Sequence, residues 1–205
     1  MEEKLIYIAD PMCSWCWGFS PVIHKIKNKY KSALGFELIL GGLRPGGGDP
    51  WTLEFKNFLR QHWEEVQKRS GQEFSFNLFS FPHFNYDTEP ASRAVRVIRD
   101  LAPAMEFDFF SNIQRRFYKE NQDPGDLAFY EPLVESLKIE WDTFVKEFQS
   151  EAYTLKTQQD FQKAARMSIR GFPSLVFQGK TELYLLTHGY SSFEQVEGRI
   201  EKYRS

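Results

Sequence analysis

The only two cysteines of this chain, Cys13 and Cys16, lie three positions apart, between an apolar run and a helical pattern. The apolar run at residues 5–9 is typical of a short buried strand. A cysteine at the start of the following helix faces unpaired backbone N–H groups and the positive end of the helix dipole, and both favour thiolate over thiol. The spacing therefore predicts a strand, a reactive dithiol and a helix, in that order, with the Cys13 sulfur open to solvent.

The patterns along the rest of the chain predict an α/β fold. A second strand is expected at residues 36–40, and a β-hairpin at residues 174–186 precedes a last helix. A long stretch of helical patterns separates these two parts. The order is that of a thioredoxin-like fold with a large all-helical insertion. We expect residues 1–48 and 168–205 to form the thioredoxin-like domain and residues 49–167 the insertion.

Composition and charge limit the classes of function. Hydrophobic residues make up 41% of the chain and charged residues 26%, which is typical of a globular protein. The net charge of −2 does not favour nucleic acid or an anionic membrane as a partner. The amino-terminus lacks the basic start and the longer apolar stretch of a secretory signal. We therefore expect a cytoplasmic protein, where a cysteine pair at this spacing is typically catalytic.

A metal site and a buried structural pair are the alternatives to a redox pair. A zinc site needs about four ligands, and the four histidines contain no pair at the spacing of zinc ligands. A redox pair is therefore favoured, with no metal and no bound cofactor.

A second motif, Gly171-Phe172-Pro173-Ser174, stands directly before the third predicted strand. A cis bond before proline costs only about 0.5–1 kcal/mol, so tertiary contacts can hold it. With the dithiol and this strand order, we expect a cis Phe172–Pro173 bond facing the cysteines. The backbone of Phe172 would then be free to contact a substrate strand.

Two neighbours of the dithiol are candidate site residues. Asp10 ends the first strand, where it either accepts a proton from a thiol or forms a strand-end turn, and the turn is favoured. Trp15 is expected to project outward and contact substrate, whereas Trp17 packs in the core. Aromatic residues of the insertion are expected to pack in its core rather than line a groove (Phe79, Phe81, Phe84 and Tyr86).

Taken together, these motifs resemble the DsbA-like branch of the thioredoxin superfamily. The stretch IADPMCSWCWGF at residues 8–19 is similar to FrnE-like members, which are often cytoplasmic, as are DTEPASRA at 87–94 and RGFPS at 170–174. The resemblance implies that Cys13 attacks, Cys16 resolves, and Pro173 with Phe172 shapes the substrate contact. Many relatives have proline after the first cysteine; here Ser14 stands there and is expected to adjust the redox balance.

The predicted function is that of a thiol–disulfide oxidoreductase that reduces, forms or isomerises disulfides. Its expected partners are disulfides of proteins or small thiols, glutathione among them. Two alternatives remain open: a glutathione-dependent transferase or isomerase, which would not need both cysteines, and an adaptor that binds a partner without catalysis.

Overall fold

Four β-strands form one mixed sheet in the computed structural model, which describes residues 2–204. They are Lys4–Ala9 (β1), Gly35–Leu40 (β2), Ser174–Gln178 (β3) and Leu183–His188 (β4). The strand order is β2-β1-β3-β4. β1 runs parallel to β2 and antiparallel to β3, and β3 is antiparallel to β4. This topology confirms the predicted thioredoxin-like α/β fold.

Eight α-helices accompany the sheet in the described part of the chain. They are Ser14–Tyr30 (α1), Leu53–Ser70 (α2), Glu89–Leu101 (α3), Glu106–Tyr118 (α4), Glu131–Ser136 (α5), Trp141–Phe148 (α6), Glu151–Arg166 (α7) and Phe193–Arg204 (α8). Helices α2 to α7 lie between β2 and β3, which confirms the all-helical insertion. The boundaries expected between the two parts, at residues 48 and 168, stay a prediction.

Helix α1 begins directly after the first cysteine, because Cys13 caps its first turn. The Cys13 backbone is extended, with φ −88° and ψ 115°, and its sulfur accepts the Cys16 N–H. Within the helix, Pro21 has no N–H for the carbonyl of Trp17 four residues earlier. The side-chain amide of Gln72 donates to that carbonyl instead, at 3.1 Å. The insertion therefore satisfies the one helix carbonyl that the proline leaves free.

Some element ends differ from the predicted positions. α2 begins after the predicted Trp51, because the Thr52 hydroxyl caps its first turn. β4 continues to His188, two residues beyond its predicted end. This extension brings His188 opposite the first residue of β3, Ser174.

The start of α3 ties the insertion to the glycine-rich loop after β2. The Asp87 carboxylate accepts the N–H groups of Glu89 and Gly46, at 2.9 and 2.8 Å. The Thr88 hydroxyl, directly before α3, accepts the N–H of Arg44 at 3.0 Å and forms no hydrogen bond to the helix start. Asp87 therefore holds both the loop and the helix, and Thr88 holds the loop.

A continuous apolar core joins the sheet, α1 and the insertion. Trp63 of α2 is completely buried, and its ring meets those of Phe79, Phe117 and Tyr118 edge-on at 4.9–5.8 Å. Core positions were predicted for four aromatic residues of the insertion, and three of them are buried: Phe79, Phe84 and Tyr86. Phe81 is half-buried against the same core.

Candidate active site

Cys13 lies where the loop after β1 meets the first turn of α1. Its sulfur accepts the N–H of Cys16 at 3.4 Å, and its thiol donates to the carbonyl of Phe172 at 3.5 Å. Both cysteines are free thiols. The sequence favoured a solvent-accessible sulfur, but Cys13 is only 4% exposed. It is nearly covered because the Phe172 carbonyl lies against it on one side and α1 on the other.

Cys16 lies one turn further along α1 and is completely buried. Burial raises the pKa of its thiol above the usual range, and the adjacent Cys13 sulfur raises it further. A hydrogen bond from the backbone of Asp10 lowers it in part. At neutral pH, Cys16 is therefore an uncharged thiol held next to Cys13.

Asp10 is completely buried at the end of β1. Its carboxylate accepts the N–H groups of Met12 at 2.8 Å and Leu43 at 2.7 Å, and the Thr88 hydroxyl also donates to it. Burial raises the pKa of this carboxyl to about 6. The bond to Met12 is the strand-end turn that the sequence favours, while an effect of Asp10 on the thiols stays a prediction.

The peptide bond between Phe172 and Pro173 is cis, as the sequence motif predicts. The N–H of Gly189 donates to the Pro173 carbonyl at 2.7 Å and ties this loop to the end of β4. The Phe172 ring rests on Gly41, where an added Cβ would lie 2.2 Å from it. Among residues 2–204 nothing accepts a hydrogen bond from the Phe172 N–H. The N–H of Phe172, rather than its ring, is therefore free for a bound ligand.

A small groove of about 250 Å³ adjoins the dithiol. The half-buried Trp15 forms one wall, with its ring 6.2 Å from that of Tyr190. The guanidinium of Arg69 lies 5.6 Å from the centre of the Trp15 ring and 5.8 Å from that of Tyr190. The groove residues come from both parts of the fold: Trp15, Arg69, Phe172, His188, Gly189 and Tyr190. It offers aromatic faces, one cation and one imidazole.

Sequence reasoning did not single out four of these groove residues: Arg69, His188, Gly189 and Tyr190. His188 could have been found from the sheet register, since it lies opposite Ser174 and its Nδ1 is 3.1 Å from the Ser174 hydroxyl. Arg69 lies in the last turn of α2, and Gly189 and Tyr190 follow β4, and none of these positions carries a signal in the sequence. Their meeting depends on how the insertion packs.

Ser14 and Tyr86 are two further residues near the dithiol. The side chain of Ser14 forms no hydrogen bond within residues 2–204, and its effect on the redox balance stays a prediction. Tyr86 is buried as predicted, and its hydroxyl also donates to the carbonyl of Met12 at 2.6 Å. The insertion thereby holds the residue directly before Cys13.

Within residues 2–204, no cluster of three or more His, Cys, Asp or Glu side chains is arranged to hold a metal ion. No helix in the same part of the chain combines the length and apolar character needed to cross a membrane.

Comparison with solved structures finds the fold throughout the chain. A candidate protein disulfide isomerase from Nitrosomonas europaea is 38% identical with a TM-score of 0.90, over 100% of this chain and 98% of that one. The cytosolic disulfide reductase DsbM from Pseudomonas aeruginosa is 20% identical with a TM-score of 0.75, over 98% of each chain. DsbM has also been solved with GSH. At 20% identity, the likeness to DsbM shows the fold alone.

Among curated proteins, the ClpXP adapter protein SpxH of Bacillus subtilis (strain 168) is 22% identical over 179 residues, or 85% of this chain. The chain spans 58% to 65% of the length of the two adapter proteins that it matches. The profile of the DSBA-like thioredoxin domain matches residues 5–201. Because that match takes in nearly all of the sheet, the insertion and the dithiol, the chain belongs to the DSBA-like thioredoxin domain family.

Proposed function

We propose that this protein is a thiol–disulfide oxidoreductase in which Cys13 is the nucleophile and Cys16 the resolving thiol. The observation that carries the proposal is the position of the Cys13 sulfur, which caps α1, accepts the Cys16 N–H and lies against the cis-proline loop. An anionic sulfur there is stabilised by the backbone N–H and by the helix dipole.

In the proposed cycle, the Cys13 thiolate attacks a substrate disulfide and forms a mixed disulfide, and the released substrate sulfur takes up a proton. Cys16 then loses its proton and bonds to the Cys13 sulfur, and the second substrate sulfur leaves and is protonated. The substrate gains two electrons, and the dithiol becomes a disulfide. Two molecules of a small thiol restore the dithiol and leave joined by their own disulfide.

Reduction is the proposed net direction, and the cytoplasm the proposed compartment. DsbM, which shares the fold, is a cytosolic disulfide reductase. A reducing compartment keeps such pairs mainly as dithiols, and this form donates electrons to a substrate disulfide.

The groove and the cis-proline loop support a peptide-like thiol such as glutathione as one substrate or electron donor. The free N–H of Phe172 can bind a substrate carbonyl as an added strand would. The Arg69 guanidinium suits a carboxylate, and the Trp15 face suits an apolar stem. The solved complex of DsbM with GSH agrees with this assignment. Trp15, Phe172 and Pro173 are therefore the proposed substrate contacts.

Single-cysteine variants test the mechanism. Incubated with oxidised glutathione, Cys16→Ser is expected to gain the mass of one glutathione on Cys13 and to lose turnover, because the mixed disulfide has no resolving thiol. Cys13→Ser is expected to stay unmodified, since the remaining thiol is buried. Intact-protein mass spectrometry measures the bound glutathione of each variant, and a glutathione-reductase-coupled assay measures its turnover. Full turnover by Cys16→Ser would favour the glutathione-dependent transferase or isomerase instead.

An adaptor is the second candidate, because the matched SpxH proteins are adapter proteins. An adaptor would keep its partner when both cysteines are serine, whereas the oxidoreductase loses all exchange. Parallel pull-downs with Cys16→Ser and the double Cys13→Ser, Cys16→Ser variant, followed by non-reducing gels, separate the two. Partners held only through a disulfide with Cys16→Ser support the oxidoreductase.

A further inference from the structure

Tyr7 lies within β1 and is completely buried against α1 and the insertion. Its ring centre is 6.0 Å from that of Phe19 on α1, and 6.3 and 6.2 Å from those of Phe107 and Phe110 on α4. Aromatic rings on both sides therefore hold the phenol in place and set the direction of its hydroxyl.

The Tyr7 hydroxyl is a buried polar group without a satisfied hydrogen bond. No described residue forms an aligned hydrogen bond with it. Its titratable neighbours are the Cys16 and Cys13 thiols, and neither sulfur forms an aligned hydrogen bond with it in this structure. Buried hydroxyls are nearly always paired, so an unpaired one beside a reactive pair requires an explanation.

When Cys16 reacts, its sulfur is the group that needs hydrogen-bond donors. It is completely buried, and water cannot solvate a negative charge on its sulfur. The proposed resolving step places charge on that sulfur as the proton leaves. The Asp10 backbone supplies one hydrogen bond, and the phenol of Tyr7, which neighbours the thiols and has no partner of its own among residues 2–204, can supply a second.

We infer that the Tyr7 hydroxyl donates a hydrogen bond to the Cys16 sulfur as it becomes anionic, and that this bond speeds the step in which Cys16 resolves the mixed disulfide. The inference rests on the proposed function. Tyr7 keeps its proton throughout the step. The Cys16 thiol releases a proton, its electron pair forms the bond to the Cys13 sulfur, and the bond from Cys13 to the substrate breaks. The departing substrate sulfur takes the pair from that bond and a proton.

Burial and the nearby thiols raise the pKa of Tyr7, so the phenol is neutral and able to donate at every physiological pH. A neutral donor stabilises the anion without adding a second charge to the core.

The rate of the resolving step tests the inference. Tyr7→Phe keeps the ring and removes only the hydroxyl. A glutathione mixed disulfide formed on Cys13 should resolve about tenfold more slowly in this variant than in wild type, as followed by quenched-flow mass spectrometry. Tyr130→Phe is the matched control, because its hydroxyl is equally buried but donates to the carbonyl of Pro124, away from the dithiol. It should leave the rate unchanged.

The equilibrium with a glutathione redox buffer, followed by tryptophan fluorescence, gives a second measure. It should stay at the wild-type value in Tyr7→Phe, because Cys16 is an uncharged thiol before the step and part of a disulfide after it. A purely structural role would leave the rate of the resolving step at the wild-type value. That result would overturn the inference.

A measurement on the wild type keeps the test independent of folding in the variant. The ¹³Cζ resonance of Tyr7 in the dithiol form is expected to move when alkaline pH removes the Cys16 proton, because the hydroxyl then gains an anionic partner. An unmoved resonance would contradict the inference while leaving the proposed function intact. Failure of the wild type to interconvert dithiol and disulfide at all would instead reject the proposed function.

Discussion

At the scale of single residues, Cys13 and Cys16 lie one helical turn apart but differ in their surroundings. Cys13 caps α1 and donates to the Phe172 carbonyl, whereas Cys16 is completely buried. Burial raises the pKa of the Cys16 thiol. Asp10 is a further buried titratable group in this region, and its carboxylate accepts hydrogen bonds from two backbone N–H groups of different loops.

The raised pKa of Asp10 predicts that the protein gains stability as the pH falls from 7 to 5. The folded protein binds this proton with a pKa of about 6, against an ordinary value of 3.8, so ionisation above pH 6 disfavours folding. The free-energy cost of burying the ionised Asp10 carboxylate is present in full above pH 6, and it is relieved as the pH falls toward 4. Relative to Asp10→Asn, wild type should gain about 1 kcal/mol between pH 7 and pH 5.

Urea unfolding of both proteins at several pH values measures this difference, and a ¹³C titration of the Asp10 carboxyl measures the pKa itself. The variant removes the titration of the Asp10 carboxyl and leaves the titration of every other group in place. Parallel profiles of the two proteins would show that Asp10 ionises at its ordinary pH.

At the scale of elements, the site depends on loops that meet beside the start of α1. The cis-proline loop before β3 rests on the end of β2 through Phe172 and Gly41. The loop after β1 is held by the Tyr86 hydroxyl from the insertion. The position of the Phe172 carbonyl against Cys13 therefore depends on how closely β2 and this loop approach each other.

Gly41→Ala is expected to disturb this approach. The new Cβ would lie 2.2 Å from the Phe172 ring, and overpacking of this kind costs about 1–3 kcal/mol. Displacing Phe172 also uncovers the Cys13 sulfur, so alkylation by iodoacetamide should be several-fold faster. Chemical unfolding and timed alkylation with mass spectrometry measure the two effects.

Gly198→Ala is the control, because it adds the same methyl group to α8 with no atom within 4 Å. It should gain up to about 1 kcal/mol through better helix propensity and leave alkylation unchanged. If Gly41→Ala matched wild type in both measurements, the close packing of Phe172 would not control access to Cys13.

At the scale of the whole molecule, the insertion and the sheet share one core. Tyr7 of β1 packs on α4, and Trp63 of α2 belongs to the same continuous cluster as the residues of α1. Neither part buries its apolar surface without the other. The residues expected to form two domains are thus coupled through packing.

This shared core predicts a single cooperative unfolding transition. Far-UV circular dichroism, which follows mainly the helical insertion, and near-UV circular dichroism of the buried aromatic residues should give the same midpoint. Trp63→Ala removes a completely buried side chain and should lower stability by about 3–5 kcal/mol, moving both transitions together. Two separate midpoints, or a shift in only one of them, would show that the insertion unfolds independently.

Local patterns in the sequence were sufficient to predict most of the fold and the centre of the site. Alternation and helical spacing act over a few residues, so they located the strands and most helices, and the two cysteines marked the start of α1. The cis Phe172–Pro173 bond followed from its motif and its place before β3. The resemblance to the DsbA-like branch agreed with these elements.

Tertiary structure alone decided what surrounds the two sulfurs. The groove brings together residues from distant segments: Arg69, His188 and Tyr190. Tyr7 neighbours Cys16 for the same reason. The same packing places Phe172 on Gly41 and nearly covers Cys13, against expectation. Such neighbours depend on the relative positions of elements far apart in the chain, and no short-range pattern encodes those positions.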